Sequence, residues 1–231
     1  MKFTFTVLVV IVSSIFVQAG SAEAEKANQF YANEFVSMIN ENILAEESYP
    51  LNTVEVDDRC AKWVNQSNTL GNLGVFINNH IIINQQNFKH LLDSKKSISN
   101  ICPKYSSLQT NQKSFLWTMI LAAMAHYESN CNIMAYTKGP SGRTSGFYQL
   151  HRGHESTYDG KLKVCKNFDG TKPEESSICA LTMLDLQLKN RVSLFTSKSY
   201  WDVLRPSGEA SRTSKAPQSI KKAIVNSSLC K

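Results

Sequence analysis

After residue 24 the 231-residue chain has no apolar run long enough to cross a bilayer, so the rest of it reads as soluble. Glycine (ten) and proline (six) are sparse, which excludes collagen-like and low-complexity chains. Charged residues make up only 19% against 42% hydrophobic, a balance that builds a core rather than a disordered chain. No Cys-x-x-Cys pair exists, so the cysteines do not spell a zinc knuckle. A Gly-x-Ser-x-Gly elbow is missing too, which removes the commonest serine-hydrolase signature. There is no basic run with interleaved aromatics, and nucleic acid is not an expected partner. The net charge of +6 suits a polyanion such as a cell-wall polymer, or serves solubility alone.

What is present begins with an export signal. Lys2 gives a positive start, Val7–Val17 is almost wholly apolar, and small residues follow at Ala19, Ala22 and Ala24. This layout predicts a signal peptide over residues 1–24 and an exported product, periplasmic or secreted. Its removal leaves the charge at +6, because Lys2 and Glu23 leave together. All six cysteines follow it, and an even number in an exported chain predicts disulfides. The expected pairing is Cys60–Cys102, Cys165–Cys179 and Cys131–Cys230: two precede the motif region, two bracket a loop, and one ends the chain.

No internal repeat is visible. Residues 25–105 are polar and Asn-rich, with helical patches at Phe30, Phe35, Met38, Ile39, Ile43 and Leu44 and again around Phe88, Leu91 and Leu92. Turn signals at Tyr49-Pro50, Gly71-Asn72 and Cys102-Pro103 break them up, and the stretch reads as an N-terminal helical extension of unknown role. Residues 106–231 form the expected catalytic domain. Ser114 reads as an N-cap, and Phe115 to Tyr127 is apolar on nearly every face, the mark of a buried helix. A Gly/Pro/Ser loop at 139–142 follows, then helices near Ser177–Asn190 and Pro217–Val225. Strand signals are few, and the expected class is mainly α.

Glu128, at the end of the buried helix, follows a run free of other charged side chains. Burial there would disfavour its ionised form and raise its pKa towards neutrality, as a general acid requires. Aromatic rings can stack on the C–H faces of sugars, and Tyr136, Tyr148 and Tyr200 are the candidates here, although most aromatics are core. His151-Arg152-Gly153-His154-Glu155 invites a zinc-peptidase reading, but its spacing is His-x-x-His-Glu and Gly153 weakens the helix such a site needs. No metal or organic cofactor is expected.

Ala-His-Tyr-Glu-Ser at 125–129, followed by Gly-Phe-Tyr-Gln-Leu at 146–150, resembles the lytic transglycosylases and goose-type lysozymes. Residues 177–184 are similar to that family's following helix. The likeness spans about residues 110–230 and leaves 25–105 outside. It implies a lysozyme-like fold and cleavage of the β-1,4 bond between N-acetylmuramic acid and N-acetylglucosamine in peptidoglycan. It also implies that Glu128 is the single acid/base and that Ser129 orients it or a sugar substituent. Gly146 would let backbone approach the glycan, and Gln149 would line the cleft. The family's later Ala-Tyr-Asn-Ala-Gly is missing; Ser199 to Pro206 stands near its place, with Tyr200 in the role of the Tyr that binds the catalytic Glu. Phe147 and Tyr148 replace smaller aliphatic residues, a remodelled cleft that would fit a subgroup similar to the deacetylation-specific lysozyme of predatory bacteria.

A hydrolysing muramidase normally needs a second carboxylate. No Asp or Glu occurs between Ser129 and His154, and the next acids are Glu155 and Asp159. One carboxylate suffices if the muramic acid's own 6-hydroxyl attacks, which favours transglycosylation over hydrolysis. The alternative from another class is an inactive lysozyme-fold glycan-binding module or inhibitor. Glu128 discriminates, because a binding module does not need a desolvated acid. The expected partner is the peptidoglycan glycan strand, and the expected state a monomer.

Overall fold

The computed structural model describes residues 58–64, 69–93, 95–139, 142–151, 165, 170–190 and 193–231, all within a compact unit spanning Ser48–Lys231. The segment expected to be a signal peptide, the helical patches at 30–44, and the Arg152-to-Glu155 part of the zinc motif lie outside the described residues. Seven α-helices among the described residues carry the fold: α1 (Asn72–Ile83), α2 (Lys89–Leu92), α3 (Lys95–Ile98), α4 (Thr110–Ser129), α5 (Pro173–Lys189), α6 (Glu209–Thr213) and α7 (Ala216–Asn226). A small antiparallel sheet, β1 (Tyr136–Gly139), β2 (Gly142–Ser145) and β3 (Leu150–His151), sits between α4 and α5 in the chain. The class is mainly α, with disulfides.

α4 is the axis. Leu116, Trp117, Ile120, Leu121, Met124 and Ala125 are all essentially inaccessible, so the helix is covered on nearly every side, as its apolar run predicts. It starts four residues before the expected cap. Gln112 Oε1 accepts from the Gln109 N–H at 2.9 Å, half of a capping box, which closes the first turn. Ser114 lies inside the helix, and its hydroxyl donates to the Asn78 carbonyl of α1 at 2.8 Å.

α1 and α4 pack side by side, and α2 rests on both α4 and α5. Asp185 of α5 holds α2 in place: its Oδ1 accepts from the Leu91 N–H at 2.8 Å. Tyr105 and Trp117 converge on the same turn, the phenol donating to the Leu91 carbonyl at 2.6 Å and the indole to the phenol at 2.8 Å. Residues on both sides of position 105 therefore share one core, running from Trp63 and Ile77 through Trp117 to Leu184 and Ile224.

Two of the three expected disulfides pair differently. Cys60 bonds Cys131, with Cα atoms 5.2 Å apart, and Cys102 bonds Cys230 at 4.4 Å; Cys165–Cys179 forms as expected. The reason is topological. The 3-10 helix Asp58–Cys60 lies against the end of α4, where its sulfur comes within 3.9 Å of His126 Nδ1. The 3-10 helix Pro103–Ser107, next to Cys102, packs on the terminal one, Ser228–Cys230.

Candidate active site

Helix α4 delivers Glu128 to the junction of three segments. Asn130 and Cys131 turn left-handed at φ 55° and 56°, and their N–H groups bond the His126 and Ala125 carbonyls at 2.8 and 3.0 Å, stopping the helix. Asn tolerates that conformation well; Cys131 is held in it beside its bridge to Cys60. The second segment is the turn 146–149. Ser129 Oγ lies 2.9 Å from both the Ala125 and the Phe147 carbonyls, so its single proton pins the helix end to that turn.

The third segment is Ser199–Arg205. The Val203 N–H, in the short 3-10 helix Asp202–Leu204, donates to the Glu128 carboxyl. Arg205 shapes this strap by donating from Nε to the Ser199 carbonyl at 2.8 Å and from a terminal nitrogen to the Tyr200 carbonyl at 3.0 Å. Asp202 anchors the next helix, its Oδ2 accepting from the Ala210 N–H at 2.6 Å, while Oδ1 faces Arg205 at 3.7 Å.

Protein surrounds the Glu128 carboxyl while the residue keeps partial access to solvent. Desolvation is the largest influence on it and the Asp202 charge adds to that; the Val203 N–H and Arg205 act the other way. The net result holds the carboxyl protonated up to about 8, against an ordinary value of 4.5. At neutral pH this group is a proton donor.

The other expected site residues divide. Tyr136 is open to solvent, 65% exposed, with the Arg143 guanidinium 4.6 Å from its ring centroid. Tyr200 is half-buried and donates to the Gln149 carbonyl at 3.4 Å, bridging the strap and the turn beside Glu128.

Tyr148, expected on the cleft wall, is wholly buried. Its hydroxyl accepts from Trp63 Nε1 at 3.1 Å and pairs with Ser177 Oγ at 3.2 Å; that serine in turn donates to the Pro173 carbonyl at 2.7 Å. Burial pushes its phenol further up, so it stays neutral. Gln149, at φ 46°, has both ends of its amide engaged: Oε1 accepts from Thr144 Oγ1 at 2.9 Å, and Nε2 donates to the Gly146 and Ala135 carbonyls at 2.9 and 3.2 Å. It ties the hairpin to the turn instead of offering an amide to a sugar. Gly146 has a local reason to be glycine: φ is 76°, and an added Cβ would overlap the Gly170 carbonyl.

Asp202, Val203 and Arg205 were not among the expected site residues. Their signal is faint: an Asp and an Arg three apart, just before a Gly-initiated helix. Only the fold brings a backbone N–H there. Of the zinc motif, His151 is described, in β3; among the described residues no cluster of three or more His, Cys, Asp or Glu could hold a metal. Nor is any described helix long and apolar enough to cross a membrane.

No protein-family profile matches the chain, and no curated protein matches it. Three solved structures align with it, all of DslA from Bdellovibrio. The wild-type form gives a TM-score of 0.47 at 22% identity. Two variants, each with one Glu replaced by Gln, give 0.48 at 21% and 0.46 at 24%. Each alignment covers 64% of this chain and 92% of the other.

Proposed function

We propose that the protein cleaves the β-1,4 bond between N-acetylmuramic acid and N-acetylglucosamine in peptidoglycan, with Glu128 as its one acid/base. The observation that carries this reading is a carboxyl that stays protonated near neutral pH on a residue that is not itself fully buried. Glu128 gives its proton to the glycosidic oxygen as the C1–O bond breaks, which leaves positive charge on the muramic acid ring. It then accepts the proton of that sugar's 6-hydroxyl as the hydroxyl oxygen bonds C1, closing a 1,6-anhydro ring. The Val203 N–H helps hold the carboxylate that exists between the two steps. Tyr200 and Ser129 act as positioning residues through the strap and the turn.

Asp202 is a second carboxylate near enough to influence Glu128, which gives hydrolysis a specific argument. Its oxygens are already engaged, one by the Ala210 N–H and one beside Arg205, so transglycosylation stays the preferred chemistry. Mass spectrometry of muropeptides released from acetylated and de-N-acetylated peptidoglycan tests the reading, with Glu128→Gln as control. Anhydro ends from wild type alone are expected; reducing ends would make the enzyme a hydrolase. Release from one substrate only would set the acetylation preference. No release from either would replace the enzyme reading with a glycan-binding module.

A further inference from the structure

The β1–β2 hairpin carries an arrangement that stability alone does not explain. Tyr136 pairs with Ser145 and Lys138 with Arg143, so Tyr136, Lys138 and Arg143 occupy one face, the two cations directly across from each other. Like charges placed so destabilise a two-stranded ribbon. No carboxylate among the described residues pairs with either cation, and the sequence has no acid from Ser129 through His154. An acid at 138 or 143 would remove the repulsion and add a cross-strand pair.

The guanidinium instead lies against the exposed Tyr136 ring, 4.6 Å from its centroid. A guanidinium held over a ring keeps N–H donors for a carboxylate, which it can bind through two parallel bonds. The base of the hairpin is rooted beside Glu128. The Gly146 N–H donates to the Ala135 carbonyl at 2.9 Å, and Ser129 joins the same turn to the end of α4.

We propose that Arg143 and Lys138, with the Tyr136 ring holding the guanidinium in place, form a clamp for a carboxylate carried by the glycan that Glu128 cleaves. The proposal rests on the peptidoglycan reading for the identity of that glycan. Two carboxylate sources exist there: the lactyl group of muramic acid, free only where an amide-bond hydrolysis has removed the stem peptide, and the stem peptide itself.

Binding is measured with the Glu128→Gln protein, so that turnover plays no part, against three probes of equal sugar length: chitin oligomers, peptide-free peptidoglycan strands and peptide-bearing strands. At least one anionic probe is expected to bind about ten-fold more tightly than chitin, less so as salt rises. Tightest binding to peptide-free strands assigns the lactyl carboxylate; tightest binding to peptide-bearing strands assigns the peptide.

Adding Arg143→Gln and Lys138→Gln should abolish the preference. Arg143→Lys should keep only part of it, and Tyr136→Ala should weaken it where Tyr136→Phe does not. All three positions are at the surface, and an unchanged melting temperature confirms the fold. Equal binding of all three probes, or a preference that survives the double substitution, overturns the clamp. The clamp and the cleavage reading fail separately: selective binding without muropeptide release would leave the clamp on a non-enzyme, and release without selectivity would leave the enzyme without a clamp.

Discussion

Replacing Glu128 by Gln should stabilise the protein, and only at neutral and alkaline pH. In the unfolded chain this carboxyl ionises around its ordinary 4.5, whereas in the folded protein it holds its proton to about 8. Below 4.5 both states are protonated and the group contributes nothing. Between 4.5 and 8 the unfolded state alone loses the proton, so stability falls as pH rises; above 8 the loss is complete. At about 1.4 kcal/mol per pH unit, the full penalty is about 5 kcal/mol.

Gln keeps the shape and can still accept from the Val203 N–H, but it has no charge to desolvate. Other shifted groups, such as Asp185, which burial also pushes up, are common to both proteins and cancel in the difference. Chemical unfolding of wild type and Glu128→Gln at pH 4, 7 and 9, with disulfides intact, gives the measurement. The expected result is equal stability at pH 4 and a Gln variant more stable by up to about 5 kcal/mol at pH 9, or roughly 10–20 °C in melting temperature. A stability difference that does not change with pH would refute the account of a desolvated acid, whatever the substrate proves to be.

The same carboxyl sets the alkaline limb of activity: kcat/KM should fall with an apparent midpoint near 8. Asp202→Asn, which keeps an acceptor for the Ala210 N–H, should move that midpoint to lower pH by removing a negative charge; a pH–rate profile of the variant checks this, and an unmoved limb would show that Asp202 exerts no field there. Tyr148→Phe strips the buried partner from the Trp63 indole and should cost about 1–3 kcal/mol in urea unfolding without shifting the pH profile. Gly146→Ala should lower stability by about 2 kcal/mol or more, through the positive φ and the contact with Gly170, which thermal melts would register.

The periodicity of the chain carried the large elements well. The apolar run of 115–127 locates α4, and the segments near 177–190 and 217–225 locate α5 and α7 to within a few residues. The desolvated run before Glu128 also indicates the direction in which its pKa moves. The hairpin is hard to read because its strands are four residues each and made of Tyr, Thr, Lys, Gly, Arg and Ser, without apolar alternation. α1 was missed for a related reason: Asn72, Asn78 and Asn79 interrupt its apolar residues, yet Asn78 and Asn79 are buried.

The residues read as contacts for a sugar show the limit most clearly. Tyr148 and Gln149 have the right chemistry for a cleft, but whether an amide faces a ligand or its own backbone depends on partners far away in sequence, here Ala135 and Thr144 for Gln149 and Trp63 and Ser177 for Tyr148. Disulfide pairing is nonlocal in the same way.

The bridge between Cys60 and Cys131 bears on how the segments that meet at Glu128 are held together. Cys131 lies three residues beyond the acid, in the turn that ends its helix. The second bridge, Cys102–Cys230, fastens the chain end that follows the strap bearing Val203. A chain with its six cysteines reduced has neither covalent restraint. Reduction should therefore loosen two of the segments that meet at Glu128 while leaving their sequence untouched.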